Sequence, residues 1–213
     1  MAEKKRPRYT EEEYESLEVV LPLATLSFPH IFEMGEYKGK PTNFNGTFLI
    51  PKDADLTEVK KRIVRAKALR WGKNKNKWPK VASPIQDGDE MEDQEGYADH
   101  YVIKATSNKR PGVIDLKGKT VTDASLVYGG VKVRAVVQAA ADQMPPRRKG
   151  EKPEPYVKFY LKGIKIVADG ERLGGGGSSM KKLKEINEDE GSDDPDSYED
   201  DEGGDEDSNS SMW

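Results

Sequence analysis

The chain contains no cysteine and only two histidines, His30 and His100. That excludes a disulfide, a thiolate zinc site and a cysteine nucleophile, and leaves too little material for a histidine metal cluster or a triad. The sequence therefore reads as needing no cofactor and no metal. Large apolar residues are also scarce: Leu, Ile, Val and Phe make up 41 of 213 residues, a share that borders on that of disordered chains. Part of the chain is expected not to fold. No apolar run approaches the roughly 18 residues that cross a bilayer, and Met1 to Glu18 is charged with no hydrophobic stretch behind it. The expectation is a soluble cytoplasmic protein with no membrane partner, which the lack of cysteine suits.

What is abundant is charge, unevenly placed. Residues 188–213 hold 13 acids and no base, while the rest of the chain holds 35 bases against 26 acids, so the net charge of −4 divides into +9 and −13. A block of like charge repels itself and stays solvated. Gly174–Gly177 and the serines behind them have the composition of a flexible linker. The expected organisation is a charged, flexible arm over 1–16, a folded domain over 17–173, a Gly/Ser/Lys linker over 174–187 and a disordered acidic tail over 188–213.

Within the folded part the patterning is mostly β. Leu17–Met34 is rich in β-branched and aromatic residues but broken by Pro22 and Pro29, which predicts an edge strand or a bent pair. Phe44–Pro51 reads as the next strand, and His100–Thr106, Val127–Ala139 and Tyr156–Val167 alternate as strands do. Gly129, Gly130 and Gly163 inside these runs predict bulges or barrel corners. One helix is expected over 55–71, with Asp55 and Glu58 at capping-box spacing and Leu56, Val59, Ile63, Ala66 and Leu69 recurring at helical spacing up to Gly72. Arg110–Asp123 reads as a turn and short hairpin; residues 72–80, 87–99 and 144–155 read as loops.

Two motif readings fail. Gly112–Thr120, GVIDLKGKT, ends like a phosphate-binding loop but has one residue too many between its glycines and follows a turn rather than a strand. The acidic loop 87–99 offers oxygens for a hard cation, yet its carboxylates crowd one segment without the positional pattern of a calcium loop. A metal-dependent nuclease using Asp87 and Asp89 is thus the weaker alternative to a protein without catalytic activity.

From Lys60 to Lys80 the chain carries ten cations in 21 residues and no acid. Arg70, Lys73, Lys75, Lys77 and Lys80 flank Trp71 and Trp78 there. Flat aromatic faces beside phosphate-neutralising cations are what unpaired bases bind, with the helix-end Trp71 also suited to core packing. Phe44, Tyr97 and Tyr101, with Tyr37 and Tyr128, are further stacking candidates, and Lys109, Arg110, Lys132 and Arg134 are supporting cations. Lys132 and Arg134 share one face of a strand whose other face is apolar.

The stretches LATLSFPHIFE, GTFLIPK, PIQDGDEMEDQEGYADHYVIKATSNKRPGVID, VYGGVKVRAVVQA and VADGERLGG together resemble the bacteriophage single-stranded-DNA-binding protein family, over Leu17 to Gly175. The resemblance implies an OB-fold-like Greek-key barrel that coats single-stranded phage DNA in the host cytoplasm during replication, recombination and repair. It also implies that the acidic tail, ending at Trp213, docks replication proteins such as a polymerase or helicase. An RNA-binding or strand-annealing protein of the same fold is the nearer alternative.

Overall fold

The computed structural model describes residues 9–91, 93, 94, 96–146 and 150–173. All belong to the first of two units into which the chain divides, Met1–Gly175. The second unit, Gly176–Trp213, lies outside the described residues, as do residues 1–8, so the expectations for the linker, the acidic tail and Trp213 fall there.

Of the amino arm, expected to be flexible or loosely docked, residues 9–16 are described. Helix α1 (Glu11–Glu15) is closed by a capping box: Thr10 Oγ1 accepts from Glu13 N at 3.2 Å and Glu13 Oε2 accepts from Thr10 N at 3.0 Å. Tyr9 and Tyr14 meet edge-on at 5.4 Å, and Leu17 behind them is fully buried. Among the described residues ten strands and one further α-helix follow. They are β1 (Glu18–Val20), β2 (Ala24–His30), β3 (Glu36–Tyr37), β4 (Lys40–Pro41), β5 (Phe44–Pro51), α2 (Thr57–Trp71), β6 (Ile85–Asp87), β7 (His100–Ser107), β8 (Gly112–Ile114), β9 (Lys132–Met144) and β10 (Glu154–Ala168).

Five of the strands close a ring. β2 pairs antiparallel with β5, β5 with β7 and β9 with both β2 and β10, while β7 and β10 run parallel. That order, with its single parallel closure, is the OB barrel, a Greek-key solution that leaves few free edges. Of the two alternatives expected for 17–34 the bent pair is present: β1 and β2 are separated around Pro22, with β1 at the edge of the sheet and β2 between β9 and β5. Pro29 is tolerated in it because the pairing register shifts between Ser27 and His30. The expected bulge at Gly163 is present as a register shift between Leu161 and Gly163.

The barrel interior is filled by Phe48, Phe159, Leu26, Ile103, Leu161 and the alternating Val131, Val133, Ala135 and Val137, all at or near zero exposure. Helix α2 packs Val59, Ile63 and Ala66 onto this core. It starts at Thr57 rather than 55, because Asp55 Oδ1 accepts from Thr57 N at 2.8 Å and Glu58 turns to Lys61, so there is no capping box here. Among the described residues two α-helices, not one, accompany the sheet. The strand expected over 127–139 begins only at Lys132 and runs on to Met144; Gly129 and Gly130 occupy the preceding turn, where Gly130 N donates to Leu26 O at 2.7 Å. Among the described residues no helix is long and apolar enough to cross a membrane.

Candidate nucleic-acid interface

The outward face of β2, β5 and β7 is where the barrel presents chemistry. Strand alternation should turn Phe28 inward, in step with Leu26. Instead Phe28 adopts a φ of +45°, a conformation rare for bulky residues, within the Ser27–His30 register shift. The residue is 58% exposed, so a full aromatic ring stands on the outer surface. Beside it the cross-strand pair Thr47 and Lys104, with Asn45 one step along β5, line an open cleft of about 680 Å³.

Part of the same face is covered. Leu49, Val102 and Tyr97 form a second, small buried cluster against Met91 and Leu173, which explains why Thr47 to Ile50 on β5 are buried on both faces. Tyr97 was expected to stack on bases, but it is only 3% exposed and its hydroxyl donates to Ser27 Oγ at 3.2 Å. It is the floor of the cleft rather than a platform. The alternation of β5 and β7 carries no signal for this cover, because the covering loop is highly polar and, for β5, remote in sequence.

That loop is held by one lysine. Lys52 Nζ lies 2.7 Å from Asp87 Oδ1 and 2.5 Å from Asp89 Oδ2, while Asp89 Oδ1 accepts from Asp99 N at 2.7 Å. These hydrogen bonds hold the Asp87 and Asp89 carboxyls below their usual range and raise the Lys52 ammonium. Gly88 is obligatory, since a Cβ there would sit 2.0 Å from Tyr97 O. The carboxylates offered to a nuclease metal are therefore committed to Lys52. Among the described residues no group of three or more His, Asp or Glu could hold an ion.

The basic segment after α2 folds back on itself. A 3₁₀ turn spans Lys75–Lys77, and the Trp78 indole Nε1 donates to Gly72 O at 2.8 Å, leaving the ring half-buried. Lys73, Lys75, Lys77 and Lys80 are exposed around it. Trp71 fits the core-packing side of its two expected roles: it is half-buried against the barrel core, and its Nε1 is buried with no hydrogen-bond partner among the described residues. Arg70 is likewise engaged, its Nε 3.4 Å from Asp142 Oδ1 and Nη2 3.2 Å from Gln143 Oε1.

The remaining expected residues do not join these into one patch. Phe44, half-buried, pairs with Ser107, close to the exposed Lys109 and to Arg110, whose guanidinium lies 4.4 Å over the Phe32 ring. Lys132 Nζ donates to Thr25 Oγ1 at 2.7 Å and Arg134 is exposed two residues on. Tyr101 is half-buried against the core. Tyr128 is fastened by its hydroxyl to Gly170 N at 3.1 Å, and Tyr37 is open on the β3–β4 hairpin. Sequence reasoning missed Phe28, Lys104, and the outward row Tyr156, Lys158 and Tyr160, where the ammonium lies 5.2 and 4.6 Å from the two rings. Phe28 had no signal at all, since its neighbours read as ordinary core.

A family model described as the Enterobacter phage Enc34 single-stranded-DNA-binding protein matches residues 17–194. The structure is similar to that of the bacteriophage Enc34 single-stranded-DNA-binding protein in complex with single-stranded DNA. TM-score is 0.61 and identity 23%, covering 81% of this chain and all of that one. A C-terminal truncation of the same protein gives 0.59 at 22%, over 74% of this chain and 90% of that. The single-stranded-DNA-binding protein encoded by bacteriophage T7 gives 0.53 at 15%, over 82% and 96%. No curated protein matches the sequence.

Proposed function

Because the chain belongs to the Enterobacter phage Enc34 single-stranded-DNA-binding protein family, we propose that it binds unpaired DNA across the β2–β5–β7 face, with little overall sequence preference. The observation that carries the reading is Phe28, an apolar ring held in solvent beside Lys104 on the face that OB folds use for oligonucleotides. A ring so placed contributes nothing to the core and fits a base, and every base has a π face. Trp78, with Lys73, Lys75, Lys77 and Lys80, would extend the track, and Phe44 with Lys109 and Arg110 would serve a further stretch of strand. Lys132 and Arg134 would neutralise phosphates. The biological setting is phage DNA replication, recombination and repair. Titrating labelled single-stranded, duplex and RNA oligomers of one length tests the proposal: binding to duplex as tight as to single strands would sink it, and tighter binding to RNA would favour the RNA-binding alternative.

The two indoles should separate under mutation. Trp78→Ala is expected to weaken binding by about 1–3 kcal/mol, the loss of one stacked base, with an almost unchanged melting temperature. Trp71→Ala is expected to lose about 3 kcal/mol of stability through its core contact, and to bind normally wherever it remains folded. Melting curves beside fluorescence titrations decide it, and the reverse pattern would move the platform from Trp78 to Trp71.

The acidic tail is proposed as an internal competitor and partner-docking segment. A −13 extension tethered to a +9 remainder is present at millimolar-range effective concentration. DNA, denser in charge and able to stack, would displace it and free Trp213 for a polymerase or helicase. Truncation after Gly177 is expected to tighten DNA binding at low salt, with the gain shrinking as screening rises. Equal affinity of both forms at low ionic strength would leave the tail a solubility device only.

A further inference from the structure

The acids of the 87–99 loop are divided between two tasks. Asp87 and Asp89 are bound to Lys52, and Asp89 also holds the Asp99 amide. Glu90 and Asp93 instead are exposed and line the cleft that Phe28 and Lys104 share. One aromatic ring is thus flanked by an ammonium on β7 and by two carboxylates on the loop. We propose that this cleft takes one unpaired base at a time and prefers a base with an exocyclic amino group, cytosine over thymine among the pyrimidines. The inference rests on the DNA-binding reading of the same face and adds a chemical selection to it.

A phosphate is drawn to Lys104 and repelled by Glu90 and Asp93, so a strand crossing the cleft lies with its backbone toward β7 and its base toward the loop. Phe28 supplies the stacking surface, which does not discriminate between bases. On the loop side the base edge then meets two carboxylates, which only accept hydrogen bonds, beside Gln94, whose amide donates and accepts alike. The N4 amino group of cytosine satisfies the carboxylates, whereas O4 of thymine brings a further lone-pair-rich oxygen against two anions. Thymine N3–H is a single donor set between two carbonyls, so it recovers little of this. Both ends of the loop are fixed, its start by Lys52 at Asp87 and Asp89 and its end by Tyr97, hydrogen-bonded to Ser27. Asn45 and Thr47 on the strand side have both donor and acceptor groups and accommodate either pyrimidine.

The test uses the full chain with labelled oligo-dT and oligo-dC of equal length at pH 7.5, followed by anisotropy, and the double variant Glu90→Ala/Asp93→Ala. Wild type is expected to bind the cytosine oligomer about fivefold more tightly, the lower end for a base-edge contact because both carboxylates begin hydrated. The double variant is expected to bind both oligomers alike while its melting curve stays that of the wild type. Equal affinity of the wild type for the two, or a preference that survives in the variant, would overturn the inference while leaving the DNA-binding reading intact. Binding to neither oligomer would instead remove that reading, and this preference with it.

Discussion

Affinity for single-stranded DNA is expected to fall about a hundredfold when salt is raised from about 50 to about 200 mM, the largest effect the proposed interface should show. Phosphate neutralisation releases counterions, and for single strands each contact contributes about −0.7 to the slope of log K against log salt. The cations available include several the fold leaves in solvent: Lys73, Lys75, Lys77 and Lys80 on the loop after α2, Lys104 in the cleft, Lys109 and Arg110 beyond β7, and Arg134 on β9. Lys52 and Arg70 are already paired with Asp87, Asp89 and Asp142 and should add little. Engagement of about five phosphates predicts a slope of about −3.5. A titration series over salt concentration measures it directly, and a slope near zero would reject the electrostatic component. The tail-truncated form should show a steeper fall than the whole chain, since salt also screens its proposed competitor.

Gly170→Ala and Gly130→Ala are each expected to cost about 3 kcal/mol or more, near the limit for single substitutions, and about 10 °C in melting temperature for a domain of this size. The segment 169–173 crosses the 128–130 turn so closely that a Cβ on Gly170 would lie 2.0 Å from Gly130 O, and one on Gly130 1.8 Å from Glu171 O. Gly130 also has a φ of +113°. The crossing is fastened by the Tyr128 hydroxyl at Gly170, by Leu173 N donating to Gly129 O at 2.9 Å, and by the Arg172 guanidinium 4.4 Å over the Tyr128 ring. It has a functional side, because it delivers Leu173 to the Leu49–Tyr97–Val102 cluster beneath the cleft. Both variants should therefore lose DNA affinity in parallel with stability. Gly118→Ala is the control: its φ is +80° but nothing lies within 4 Å of the added methyl, so it should cost only about 1–2 kcal/mol. Equal melting temperatures for Gly118→Ala and Gly170→Ala would show that the crossing is looser than described.

The mostly-β character, the strand Phe44–Pro51, the bulge at Gly163 and the helix ending at Trp71 were legible in the chain, because each depends on local patterning or on a residue type that breaks it. The division of charge into a basic body and an acidic extension is likewise a property of sequence alone. The capping residue was misplaced for a local reason too: Asp55 satisfies Thr57 N in a turn before the helix begins. What escaped were features made by segments distant in sequence. Lys52 and Asp89 are 37 positions apart, Ser27 and Tyr97 are 70, and Tyr128 and Gly170 are 42. Alternation predicts which residues share a face of a strand but not what lies upon that face, so Tyr97, in a polar loop, looked available although it packs against Leu49 and Val102, and Phe28 looked buried while a register shift had turned it out. The sequence by itself determined the barrel's composition, its one long helix and the charge that suits it to a polyanion. Only the tertiary structure decided which aromatic rings stand in solvent, because exposure depends on backbone register and on loops that pack across strands far from them in the chain.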